Sequence, residues 1–257
     1  MTIRRVLATS TRGRCGGSVL LGVMASLAAG ATAPAWAQQF TEAEIFVELN
    51  DTDGDLGLHA SIDGGPYTKL TVEDPRGATI LTVASQGRLA RQGLTQLFLE
   101  SAEPSFDELA PEAFFRRFPE GVYEIEGVRD GVEFEALAEL SHVMAAPVGD
   151  ITVAGVPAAE DCDAASLPSV SEPVVIDWDP VTEHHPEVGA KGEVEIDRYQ
   201  FFVEQGDVKF AVDLPPTVTE FQVPSEIISL GGQFKFEIIA RTSDLNNTAV
   251  ENCFVVE

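Results

Sequence analysis

Positive charge is what this chain has least of. Across 257 residues, 16 Lys and Arg stand against 42 Asp and Glu, a formal net charge of −26. Nucleic acid and anionic lipid are bound by clustered Lys and Arg that displace counterions, so this balance excludes both as partners. Tyrosine and tryptophan are nearly as scarce, at 3 and 2, which leaves little for an aromatic sugar-stacking face. Three cysteines are too few for a disulfide-dense scaffold. Apolar runs are short: the one over residues 18–29 falls below the length that spans a bilayer comfortably, and no other run approaches it. Catalytic signatures are missing too. Val83-Ala84-Ser85-Gln86-Gly87 lacks the first glycine of a nucleophile elbow, and no helix is expected to follow it at once. With 42 acids available, no pair of carboxylates can be singled out for sugar hydrolysis.

What is present begins with a leader. Arg4, Arg5, Arg12 and Arg14 precede the apolar run, and Ala35-Trp36-Ala37 is a small-x-small cleavage site before Gln38. Residues 1–37 are therefore expected to be a signal peptide. That predicts an exported protein, periplasmic or secreted, with no membrane insertion after cleavage. The remaining chain keeps 12 basic residues against 42 acids, a net charge of −30. Self-repulsion on that scale favours a monomer, and salt or divalent cations relieve it. Cys162 and Cys253 remain, and an even count in an exported chain favours a disulfide. Closing a loop of about 90 residues would add ~4–5 kcal/mol.

From residue 172 onward the pattern is that of β-strands. The expected strands are 174–181, which carries Trp178, then 196–203, 208–214, 221–228, 234–241 and 248–256, separated by Gly, Pro, Asp and Asn. In Phe234-Lys235-Phe236-Glu237-Ile238 the aromatics fall on one side and the charges on the other. Short strands with turns every 8–15 residues and no helical period predict two packed antiparallel sheets.

Three features resemble the fibronectin type III family: Trp178-Asp179-Pro180-Val181 closing the second strand, Tyr199-Gln200-Phe201 in the third, and Phe234-x-Phe236-x-Ile238-x-Ala240 before the polar Asp244-Leu245-Asn246-Asn247 turn. The resemblance covers roughly residues 165–257 and implies a β-sandwich used for adhesion, spacing or accessory binding rather than catalysis. The chain departs from it in a long insert, 182–195, and in lacking the Arg-Gly-Asp tripeptide.

The N-terminal half predicts a second β-rich domain over residues 38–147, joined by a linker at 148–164 to the domain at 165–257. A strand over 44–49, a tight acidic turn, a strand over 56–62 and a hairpin over 67–84 lead into a short helical insert. Ser105, Phe106, Asp107, Leu109, Phe114, Phe115 and Phe118 mark that insert, and closing strands follow at 121–127 and 132–142. The fold class is thus all-β, with two β-sandwich-like domains.

Asn50, Asp51, Asp53 and Asp55 are the candidate metal residues. Oxygen ligands two apart on a turn can converge on Ca²⁺. The helix-loop-helix register fails, because Leu56 and Ile62 take the glycine and glutamate positions. A solvated hairpin turn is the other reading. His184 and His185 alternate on an extended insert and so point apart, which favours a mobile polar loop over a chelate. His59 and His142 lie alone within expected strands. Glu100-Ser101-Ala102-Glu103-Pro104 is an unusual acidic turn, read as a cap for the helix after it or as a functional edge. No catalytic residue and no organic cofactor are expected, and Ca²⁺ is the one ion considered. These features point to an exported, non-catalytic binding, adhesion or envelope-structural protein whose partner is a protein or a polysaccharide. The alternative is a calcium-dependent accessory module of an extracellular hydrolase or surface assembly, resting on residues 50–55.

Overall fold

The computed structural model describes residues 38–256; the leader expected over residues 1–37 lies outside them. Along the chain run β1 (Gln38–Gln39), β2 (Glu42–Asn50), β3 (Asp55–Tyr67), β4 (Lys69–Glu73), β5 (Thr79–Ala84), α1 (Gly87–Gln92), β6 (Leu94–Glu100), α2 (Pro111–Arg117), β7 (Gly121–Arg129) and β8 (Val132–Leu140). After these come β9 (Thr152–Val153), β10 (Val156–Pro157), β11 (Ser169–Val170), β12 (Val175–Asp177), β13 (Ile196–Gln205), β14 (Val208–Leu214), β15 (Glu220–Gln222), α3 (Ser225–Ile228), β16 (Gly232–Thr242) and β17 (Asn247–Val256). The chain is all-β, and two sandwich-like units carry its core.

In the first unit the sheet β1-β8-β7-β4-β5 covers β2, β3 and β6. Alternation decides what is buried between them. Ile45, Val47 and Leu49 of β2 and Leu56, Leu58, Ala60 and Ile62 of β3 meet Leu70, Val72, Tyr123, Ile125 and Phe134 in one apolar cluster. In the second unit β10-β9-β12-β15 covers β14-β13-β16-β17. Here Tyr199, Phe201, Phe234, Phe236, Ile238 and Phe254 surround Trp178, whose ring meets Tyr199 edge-on at 5.6 Å. The Tyr199 hydroxyl in turn accepts the Val181 N–H at 2.9 Å.

The two units share one sheet. β17 pairs in parallel with β2, Asn247 opposite Glu48 and Ala249 opposite Asn50. The order β14-β13-β16-β17-β2-β3-β6 therefore runs unbroken from one core to the other. One side of this sheet buries both cores. The other side is open.

Local chemistry accounts for several differences from the expected strands. Residues 221–228 split into β15 and α3, because Pro224 cannot donate to a ladder and instead starts a helical turn. A helix, α1, does follow Ser85, whose hydroxyl is spent on the Thr68 carbonyl at 3.1 Å. Leu94–Glu100 forms a strand that was not expected. The expected helical insert forms a turn and then a helix: Ser105 accepts from Glu108 and Leu109 through its carbonyl, and α2 starts at Pro111, capped by Ala110 rather than Ser105. Val148 and Val153 are buried in the second core, and β9 and β10 extend its smaller sheet.

The insert at 182–195 is pinned rather than mobile. Ala146 N–H donates to the Glu183 carbonyl, His185 N–H to Met144 and Ala190 N–H to His142, each at 2.8 Å. Cys162 and Cys253 form a disulfide with their Cα atoms 5.4 Å apart. It ties the far end of β17 to the segment before β11.

Candidate functional site

The open side of the shared sheet, where β17 meets β2, concentrates the charged chemistry. Alternation that sends Ile45, Val47 and Leu49 inward sends Glu44, Phe46 and Glu48 outward. The same logic turns His59 out from β3, Phe98 and Glu100 from β6, Glu237 and Arg241 from β16, and Glu251 from β17. Together with Phe202, Gln200 and Asn247, most of these line a cavity of about 420 Å³.

Arg241 is the anchor of this face. It is buried, and its guanidinium donates to Glu44 at 2.6 Å and to the side-chain Oδ1 of Asn247 at 3.2 Å. It also lies 4.6 Å over the Phe46 ring. Burial pushes its pKa below the ordinary arginine value, and Glu44 opposes that. Asn247 passes the connection on, donating to Glu48 at 2.7 Å. Phe46 meets the His59 ring at 5.3 Å, and His59 meets Phe98 edge-on at 6.1 Å. Phe98 itself is 62% exposed.

His59 is only 4% exposed, and its Nε2 lies 3.0 Å from Glu103 Oε1. Glu103 reaches it from the loop after β6 because Gly57 leaves a gap in the β3 row. A Cβ on Gly57 would fall on the Glu103 carboxylate. Glu48 stands directly opposite Gly57 in the β2–β3 register. Glu48, His59 and Glu103 thereby bring their ligand atoms within 4.8 Å of one another.

Carboxylates outnumber cations here, and the field shows it. Desolvation first, then Glu48 and Glu251, pushes the Glu237 carboxyl up to about 7. Glu237 faces Glu251 directly across the β16–β17 ladder, a like-charge pair that costs stability. Burial, then Glu103 and Asp53, lifts Asp55 to about 6.

The residues of the acidic turn divide between two surroundings. The Asn50 amide donates to Asp53 at 3.3 Å and to Glu251 at 3.5 Å, and Asp53 N–H returns to Asn50 Oδ1 at 3.2 Å. Asp53 and Asp55 belong to the field of Glu103, Glu48 and Glu251. Asp51 instead accepts from His185 Nε2 at 2.8 Å. His185 Nδ1 accepts two backbone N–H groups, from Glu187 and Val188. The ring proton therefore sits on Nε2, and this histidine works as a structural tie.

Sequence reasoning placed His59 and the acidic turn at residues 100–104 separately and missed their meeting. It also missed Asn246. This residue is fully buried, accepts the Val47 N–H at 2.8 Å, and donates to the Ser141 and Val143 carbonyls at 2.9 and 3.1 Å. Thr248 adds a bond to the Ala145 carbonyl at 2.9 Å. Both were read as part of a polar turn and the strand after it. Asn246 follows Leu245, whose φ is +74°, but nothing in its local sequence marks partners some 100 and 200 residues away.

No protein-family model matches the chain, and no curated protein matches it. Among solved structures it is similar to a tetra-tandem repeat from the extending region of a large adhesion protein, at 10% identity and a TM-score of 0.26, covering 84% of this chain and 50% of that one. It is similar to a bacterial ice-binding adhesin at 10% identity and a TM-score of 0.25, covering 84% and 64%. A two-domain fibronectin type III segment of chicken tenascin gives 13% identity and a TM-score of 0.28, covering 84% and 98%. The chain thus spans about half the length of the first of these structures. The all-β, sandwich-like class rests on this protein's own strand order, not on those scores.

Proposed function

We propose that this is an exported, non-catalytic binding protein of the adhesion or envelope-structural kind, its second unit built like a fibronectin type III domain. One observation carries the reading. Two sandwich units share one sheet, and the open side of that sheet holds a cavity of about 420 Å³ across their junction. A surface carried on strands of two cores is held rigidly, which lowers the ordering cost of binding. The leader residues at 1–37 support export, and the excess of acid supports a protein or polysaccharide partner over nucleic acid.

The test is binding of the fluorescently labelled protein to an array of polysaccharides and cell-surface proteins, beside Phe98→Ala/Phe202→Ala. That pair removes exposed aromatic lining from the cavity. Saturable binding that weakens at least tenfold in the double variant supports the reading. Turnover of any array component would replace it with an enzyme.

A further inference from the structure

We propose that Glu48, His59 and Glu103 form a binding site for a divalent transition-metal ion of the zinc class. Two carboxylates and one imidazole are a donor set such ions accept, and the imidazole discriminates against Ca²⁺ and Mg²⁺, which take oxygen ligands. Zinc holds nitrogen and oxygen donors about 2.0–2.2 Å away, so donors in a tetrahedral shell stand about 3.3 Å apart. Here His59 Nε2 and Glu103 Oε1 are 3.0 Å apart, and all three donors lie within 4.8 Å. Small rotations of the two glutamate side chains close the shell.

The surroundings are arranged as a metal's outer shell would be. Asn247 donates to one oxygen of Glu48 and fixes that carboxylate, leaving its second oxygen for the ion. Phe46 and Phe98 hold the His59 ring between them. Gly57 supplies the gap through which Glu103 enters. Glu100, directly opposite His59 in the β3–β6 register, borders the open side, where a water would complete the coordination. Around them Asp53, Asp55 and Glu237 add carboxylates that Arg241 and Lys235 do not pair, because those cations are committed to Glu44 and Glu251.

Calorimetric titration of the chelator-stripped protein with Zn²⁺ tests this, with Ca²⁺ as a parallel arm. We expect one equivalent of Zn²⁺, weakened at least tenfold in Glu103→Gln and in Gly57→Ala, and unchanged in Asp51→Asn. Co²⁺ substitution should give a visible absorption band that Glu103→Gln abolishes. Melting curves in EDTA establish that each variant folds, and Zn²⁺ should raise the melting temperature of the wild type but not of Glu103→Gln. Four results would overturn the site: no uptake of Zn²⁺, uptake unchanged in both Glu103→Gln and Gly57→Ala, several loose equivalents that vanish in high salt, or saturable preference for Ca²⁺.

Discussion

The two sides of the β2–β17 junction solve the same problem in opposite ways. On the core side the polar groups are neutral and paired: Asn246 uses both ends of its amide, and Thr248 donates to Ala145. On the open side acidic groups outnumber basic ones, with Glu44, Glu48, Glu237 and Glu251 facing Arg241 and Lys235, and the Glu237 carboxyl is pushed up to about 7. A neutral, fully satisfied network holds the units together at any pH. A crowded carboxylate face gives up stability and gains sensitivity to whatever cation or proton reaches it.

Breaking the core side should give the largest effect. Asn246→Ala strands the Val47 N–H and the Ser141 and Val143 carbonyls together, at a cost of about 4 kcal/mol. Denaturant unfolding measures it, and a loss under about 1 kcal/mol would mean the junction does not depend on this amide. Cys162→Ser removes a cross-link between residues 91 apart without touching the junction. It should cost about 4 kcal/mol, matched by adding reductant to the wild type.

The open side should respond to pH instead. The Glu237 carboxyl has its folded value raised from 4.5 to about 7, so the native state binds the proton more tightly than the unfolded chain. Its contribution is fully present below about pH 4.5 and is lost as pH rises through about 7. Glu237→Gln should therefore stabilise the chelator-treated protein by about 3 kcal/mol at pH 8 and change nothing near pH 4. Equal effects at both values would disprove the raised carboxyl, which burial causes first and Glu48 and Glu251 second. Smallest of all, Phe98→Ala on the exposed rim should shift stability by less than about 0.5 kcal/mol, so any loss of ligand binding in that variant reports contact rather than folding.

The contrast between these sides also shows what a sequence discloses. Period-two alternation gave away the strands at 234–241 and 248–256 and the burial of Trp178, because each is a local pattern with one solution. The hairpin expected over 67–84 was equally readable: at its turn Asp74 Oδ1 accepts the Arg76 and Ala78 backbone N–H groups, and Gly77 takes φ +75°. Residues 94–100 were missed because their inward residues are only half-covered and no turn chemistry announces them. Of the open face, His59 and the acidic turn near Glu103 were visible as separate oddities. Their meeting depends on Gly57 having no side chain, and the approach of Glu48 depends on β-register. Neither is written in spacing along the chain.

Parallel pairing of β17 with β2 has a consequence for the order of events in folding. Residues 247–249 close the edge of a strand that begins some 200 residues earlier. Until they are available, β2 has an uncovered hydrogen-bonding edge and the Val47 N–H lacks its acceptor. A nascent or truncated chain ending before them displays a template for pairing with its neighbours. Late closure over so long a sequence separation is slow by its topology, which makes the pairing of residues 247–249 with β2 the step that commits the molecule to its native state.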